Sequence, residues 1–96
     1  MNKKAQKEIE KFPKPVRIKF TAYLETLEEQ GKLEKPFAKK ISKDLYEIRV
    51  KYRGEWRAIY AYLLKNTVVV LSAFRKKTVK APIKEINKAQ RRLKEH

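Results

Sequence analysis

A chain of 96 residues forms one domain, 1–96, with room for a single core and little stability in reserve. Its 26 basic and 11 acidic residues leave a net charge of +15, which opposes compactness and signals a polyanionic partner; 42% apolar content argues for a folded chain all the same. The absence of cysteine excludes disulfides and fits a reducing cytoplasm. A single histidine, His96, argues against a metal centre or a Ser/His nucleophile pair, and no apolar run suits a signal core or a membrane span.

Asn2 to Gln30 reads as helical. A first short helix carries Ala5, Ile9 and Phe12 on one face, and "FPKP" breaks it. Pro15 suits the first turn of a second helix, whose Val16, Phe20, Tyr23, Leu24 and Leu27 share a face. Gly31 caps its end. The two helices are expected to form a hairpin. Lys32 to Asp44 then reads as a basic linker, with Leu33, Phe37 and Ile41 as anchors to the core.

Three strands are expected next. "LYEIRVKY", Leu45–Tyr52, alternates, with Tyr46, Ile48, Val50 and Tyr52 facing the core and Glu47, Arg49 and Lys51 facing away. After a tight turn at Gly54, "WRAIYAYLL" is apolar on both faces, as a central strand is, apart from Arg57. Lys65–Asn66 turns the chain into "TVVVLSAF", again apolar on both faces. Pro82 opens a last helix with Ile83, Ile86 and Leu93 on one stripe, behind Ala81 as a weak cap. The order α-α-β-β-β-α defines an α+β domain: a helical hairpin on a small antiparallel meander, followed by a C-terminal helix.

The charge is uneven. Residues 1–31 carry 7 basic and 5 acidic side chains, like an ordinary solvated surface, whereas residues 74–96 carry 9 and 2. Most strand and helix cations simply face water. Arg57 is different, because a cation inside an apolar strand needs a partner. That partner is either a carboxylate, Glu47 being nearest in the expected pairing, or an anionic ligand. Arg75, Lys76 and Lys77 leave the third strand beside this group, so one basic surface is expected, with the strand-to-helix loop at its rim.

Four pieces in order, "LYEIR" (Leu45–Arg49), "RAIY" (Arg57–Tyr60), "FRKKT" (Phe74–Thr78) and "EINKA" (Glu85–Ala89), resemble the HigB-type branch of the RelE/ParE superfamily of type II toxins. The resemblance spans roughly residues 33–93. It implies a curved antiparallel sheet with helices on one face and an open basic face on the other. Members usually begin with a strand ahead of the helices, and "MNKKAQKEI" carries none. It also implies a cytoplasmic, cofactor-free endoribonuclease that cuts mRNA in the ribosomal A site, with contacts to 16S rRNA. A helix-turn-helix antitoxin of the HigA kind would silence it.

In such chemistry a ribose 2′-OH attacks the adjacent phosphorus. A base takes its proton, cations hold the phosphorane charge, and an acid protonates the leaving 5′-oxygen. By resemblance, Arg57 and Lys77 stabilise the phosphorane, Arg49 supports them, and Glu47 is either the base or a holder of the arginines. Lys51, Arg53, Phe74, Arg75, Lys76 and Lys80 are the implied RNA contacts. RelE also uses a tyrosine near the start of its last helix. Here Ile83 stands in that region and no tyrosine follows Tyr62, so base and acid stay unassigned. Two other readings fit part of the pattern. One is a ParE-like toxin that poisons gyrase, and the other is a non-catalytic basic RNA- or DNA-binding domain.

Overall fold

The computed structural model describes residues 2–31, 38–64, 67–80 and 82–96. Helix α1 (Lys3–Glu10) starts where a side chain can satisfy its first turn: Asn2 Oδ1 accepts from the amides of Lys4 and Ala5 at 2.9 and 3.2 Å. Helix α2 (Lys14–Gln30) has proline in its first turn and ends at Gly31, whose φ of 77° is left-handed and favours glycine. The two helices are joined by a short connection, and each packs chiefly on the sheet.

The sheet is antiparallel and has four strands, in the order β1 (Ala38–Lys40), β2 (Tyr46–Lys51), β3 (Glu55–Leu64) and β4 (Thr67–Lys76). The sequence reading expected three. Ala38–Lys40 lies in the stretch read as linker, and it pairs with Ile48, Glu47 and Tyr46 of β2. Three residues are too few to show alternation. Ala38 is buried while Lys39 and Lys40 are exposed, so the strand owes its existence to the edge that β2 offers. A short, lysine-bearing strand is also a common way to blunt a sheet edge. Leu33, Phe37, the Lys65–Asn66 turn and the Ala81 cap lie outside the described residues. The last helix, α3 (Ile83–Leu93), follows Pro82, which makes no side-chain cap bond.

Two cores sandwich the sheet. Ile48, Val50, Ala58 and Tyr60 meet Val16, Phe20 and Leu27 on one face. On the other, Leu45, Ile59, Val69 and Leu71 meet Ala89, with Ile86 and Leu93 of α3 packed against them. The face expected to be an open basic surface is therefore half covered by α3. Only the end near Glu47, Arg49 and Lys76 stays uncovered, because the apolar stripe of α3 needs the Ile59–Leu71 end.

The β4 edge is closed differently. Tyr60 pairs with Val70 and Ile59 with Ser72, so Leu71 is an extra residue in β4. The backbone groups around this bulge find partners in both flanking helices. The Ala73 amide donates to Glu8 Oε1 (3.0 Å), and Arg92 Nη1 donates to the Leu71 carbonyl (2.8 Å). Arg92 also donates to both oxygens of Glu8, at 3.1 and 3.2 Å. Lys88 Nζ joins them, 3.1 Å from Glu8 Oε2. Burial raises the Glu8 pKa, but the bonds from Arg92, the Ala73 amide and Lys88 outweigh it and leave the carboxyl below its ordinary range.

Candidate functional site

The alternation of β2 puts Glu47, Arg49 and Lys51 on one face, and the β2–β3 register sets Arg49 directly opposite Arg57. Like charges at opposed positions repel. Glu47 relieves this. Its Oε1 accepts from Arg57 Nη1 at 2.7 Å and from Arg49 Nε at 3.0 Å. Glu55 Oε2 lies 3.2 Å from Arg57 Nη2. Arg57 and Glu47 are each 4% exposed, whereas the Arg49 side chain is 38% exposed. Arg57 therefore has the carboxylate partner its position demanded, and a second one besides. Neither arginine uses Glu47 Oε2. Among the described residues, Arg57 Nε is the one buried side-chain nitrogen or oxygen without a hydrogen-bond partner.

A cleft of about 310 Å³ opens over this group. Lys39, Arg49 and Lys76 bring three cations to it against the single carboxylate of Glu47, while Lys40, at its rim, turns its Nζ to the Tyr46 ring on the other face, 6.0 Å from the ring centre. Val79, Pro82 and Ile86 form an apolar wall on the side leading into α3. Lys39 and Lys40 were missed as site residues because they were read as linker. The signal that could have marked them was their closeness in sequence to Leu45–Arg49, which allows a tight return of the chain beside Glu47.

The other expected site residues are dispersed. Lys77 and Lys80 are exposed beyond the end of β4 and do not line the cleft. Phe74 stands opposite Arg57 in register, but its ring packs against the core under α3. Arg75 points to the opposite face. Its guanidinium lies 5.3 Å from the Trp56 ring centre, and Nη2 donates to the Arg53 carbonyl at 2.9 Å. Arg53 has φ 49° and sits over the Tyr52 ring at 5.6 Å. Arg53 and Arg75 thus hold the β2–β3 turn. Gly54, at φ 130°, completes it: a Cβ there would lie 2.8 Å from Arg75 Nη2. Lys51 belongs to neither group and faces α2 across another cleft.

Tyr46, Tyr60 and Tyr62 form an aromatic cluster on the helix-covered face, with ring centres 5.3 to 5.8 Å apart. Burial, then the neighbouring tyrosines, push the Tyr60 hydroxyl pKa far up, so it stays protonated. Tyr62 donates to the Gly31 carbonyl at 3.0 Å. These tyrosines tie the end of α2 to the sheet on the face away from the cleft.

Among the described residues, no group of three or more His, Cys, Asp or Glu side chains could hold a metal ion, and no helix is long and apolar enough to cross a membrane. A family model described as "Phage derived protein Gp49-like (DUF891)" matches residues 7–94. No curated protein matches the chain.

Proposed function

The chain belongs to the Gp49-like family of phage-derived proteins, a RelE/HigB-like toxin family, and we propose that it is the toxin of a type II toxin–antitoxin pair: an endoribonuclease that cuts mRNA on the ribosome. One observation carries the reading. Three cations, Lys39, Arg49 and Lys76, converge on a cleft whose floor is a carboxylate bonded to two arginines. A solvated basic surface has no need of that buried pair, which is costly unless well bonded.

In this reading the scissile phosphate lies between Arg49 and Lys76, where the charge of the phosphorane develops. Glu47 presents Oε2 to the 2′-OH and takes its proton as the 2′-oxygen forms its bond to phosphorus. The P–O5′ bond breaks, and a lysine at the cleft, Lys76, protonates the departing 5′-oxygen. The products are a 2′,3′-cyclic phosphate and a 5′-hydroxyl. Arg57 does not touch the phosphate. It holds Glu47 in place, and so acts as a positioning residue.

The partner in the resting state is an antitoxin, of the HigA helix-turn-helix kind, and the site of action is the cytoplasm. Val79, 99% exposed on the cleft wall, and Ile83, 61% exposed nearby, are apolar residues that such a partner would bury. Induced expression with mapping of mRNA 5′ ends tests the reading. Translation-dependent cuts that disappear in Arg49→Ala support it. Growth arrest with intact mRNA and blocked replication would replace it with gyrase poisoning.

A further inference from the structure

Arg49 walls two clefts. Besides the one over Glu47, it borders a second of about 370 Å³ between α2 and the β2–β3 ribbon. Lys19 and Tyr23 of α2 form one side of it; Arg49, Lys51, Glu55 and Arg57 form the other. Four cations here face a single carboxylate. Arg57, 4% exposed, also borders it, with its Nη2 paired to Glu55 at 3.2 Å.

The charges of α2 supply an independent observation. All its cations, Lys14, Arg17 and Lys19, sit in its first half, and its carboxylates, Glu25, Glu28 and Glu29, in its second. The 7-to-5 balance of residues 1–31 conceals this segregation. The order opposes the helix dipole, which favours acids at the N-terminus and bases at the C-terminus. Helix α3 follows the dipole, with Glu85 in its first turn and Arg91 and Arg92 in its last. The arrangement in α2 gains nothing for the helix, but it places Lys19 at the cleft.

We propose that this second cleft is a phosphate subsite for single-stranded RNA, holding a phosphodiester next to the scissile one, so that the strand bends around Arg49 from one cleft to the other. The proposal rests on the ribonuclease reading above. It assigns to Lys19 and Lys51 direct phosphate contacts.

The test is the salt dependence of binding of a fluorescein-labelled single-stranded octaribonucleotide to the full chain. Each phosphate contact on a single strand contributes about 0.7 to the slope of log K against log salt. The double variant Lys19→Ala/Lys51→Ala is expected to lower the slope by about 1.4, the sum of two such contacts. Both side chains are exposed, so the unfolding midpoint should match wild type. In an NMR titration, the amides of Lys19 and Lys51 should shift with the octamer and not with a dinucleotide. An unchanged slope in the double variant, with a lowered slope in Arg49→Ala, overturns the subsite and leaves the ribonuclease reading standing. A wild-type chain that binds the octamer independently of salt removes both.

Discussion

Arg49 and Arg57 stand opposite each other on adjacent strands, and both donate to the same oxygen of Glu47. Two cations at opposed positions would push the ribbon apart, and one buried anion turns that repulsion into a clamp. The clamp also divides the labour, since Arg57 is enclosed while Arg49 reaches solvent.

The clamp makes Glu47 a stability determinant as well as a site residue. Glu47→Ala leaves the Arg57 charge buried with only the half-exposed Glu55 as partner. The expected loss is about 3–5 kcal/mol in urea unfolding. Replacing both residues, as Glu47→Leu/Arg57→Met, should lose less than Glu47→Ala alone, because the buried charges leave together. A loss below about 1 kcal/mol for Glu47→Ala would contradict the clamp.

Arg49 and Lys76 should separate activity from folding. Each is partly exposed at the cleft. Arg49→Ala and Lys76→Ala are expected to reduce mRNA cleavage by about 10²-fold each, the scale for removing one donor to a developing charge. Stability should change by no more than about 0.5 kcal/mol in Lys76→Ala, and by about 1 kcal/mol in Arg49→Ala, which takes one bond from buried Glu47. Cleavage equal to wild type in both variants would move the reaction away from this cleft.

The edge closure at β4 predicts a pH dependence. The Glu8 pKa is lower folded than its ordinary value of 4.5. A lowered carboxylate contributes stability above the unfolded value and loses it as pH falls through the folded one. The stability gap between wild type and Glu8→Gln should be full near pH 6 and close progressively below about pH 4.5. Urea titrations across that range measure it, and a gap independent of pH would contradict it.

At the β2–β3 turn, Gly54→Ala meets two obstacles: a φ of 130° and the Arg75 guanidinium. A destabilisation of about 1–3 kcal/mol is expected from the backbone alone. Gly54→Ala/Arg75→Ala should therefore remain destabilised, even though the close contact is gone. Full recovery in the double variant would assign the whole effect to the side chain.

The local patterns were legible in the sequence. Alternation in "LYEIRVKY" placed Glu47 and Arg49 together and named Glu47 as the partner of Arg57, because register follows from a tight turn. Pro15 and Gly31 marked the ends of α2 for equally local reasons. What depends on distant segments was not legible. Ala38–Lys40 becomes a strand only because β2 lies beside it. The β4 bulge reverses the face expected for Arg75 relative to residues before Leu71, and no periodicity announces it. Alignment of α3 over half the basic face depended on which stretch of the sheet its apolar stripe would find. The charge segregation in α2 was present in the sequence, but a total over residues 1–31 averaged it away.

Glu8 and Arg92 are separated by 84 positions, and Glu8 and Lys88 by 80. During synthesis the helix carrying Glu8 emerges well before its partners, and the whole sheet is made in between. Until they emerge, the Leu71 carbonyl lies open at the margin of a finished sheet, and the Glu8 carboxylate that takes the Ala73 amide lacks its two cations. Such a margin is a template on which neighbouring unfinished chains can add their own strands. This late fastening thus ends the interval in which the growing polypeptide is most exposed to misassembly, and slow translation of the codons for α3 would lengthen that interval.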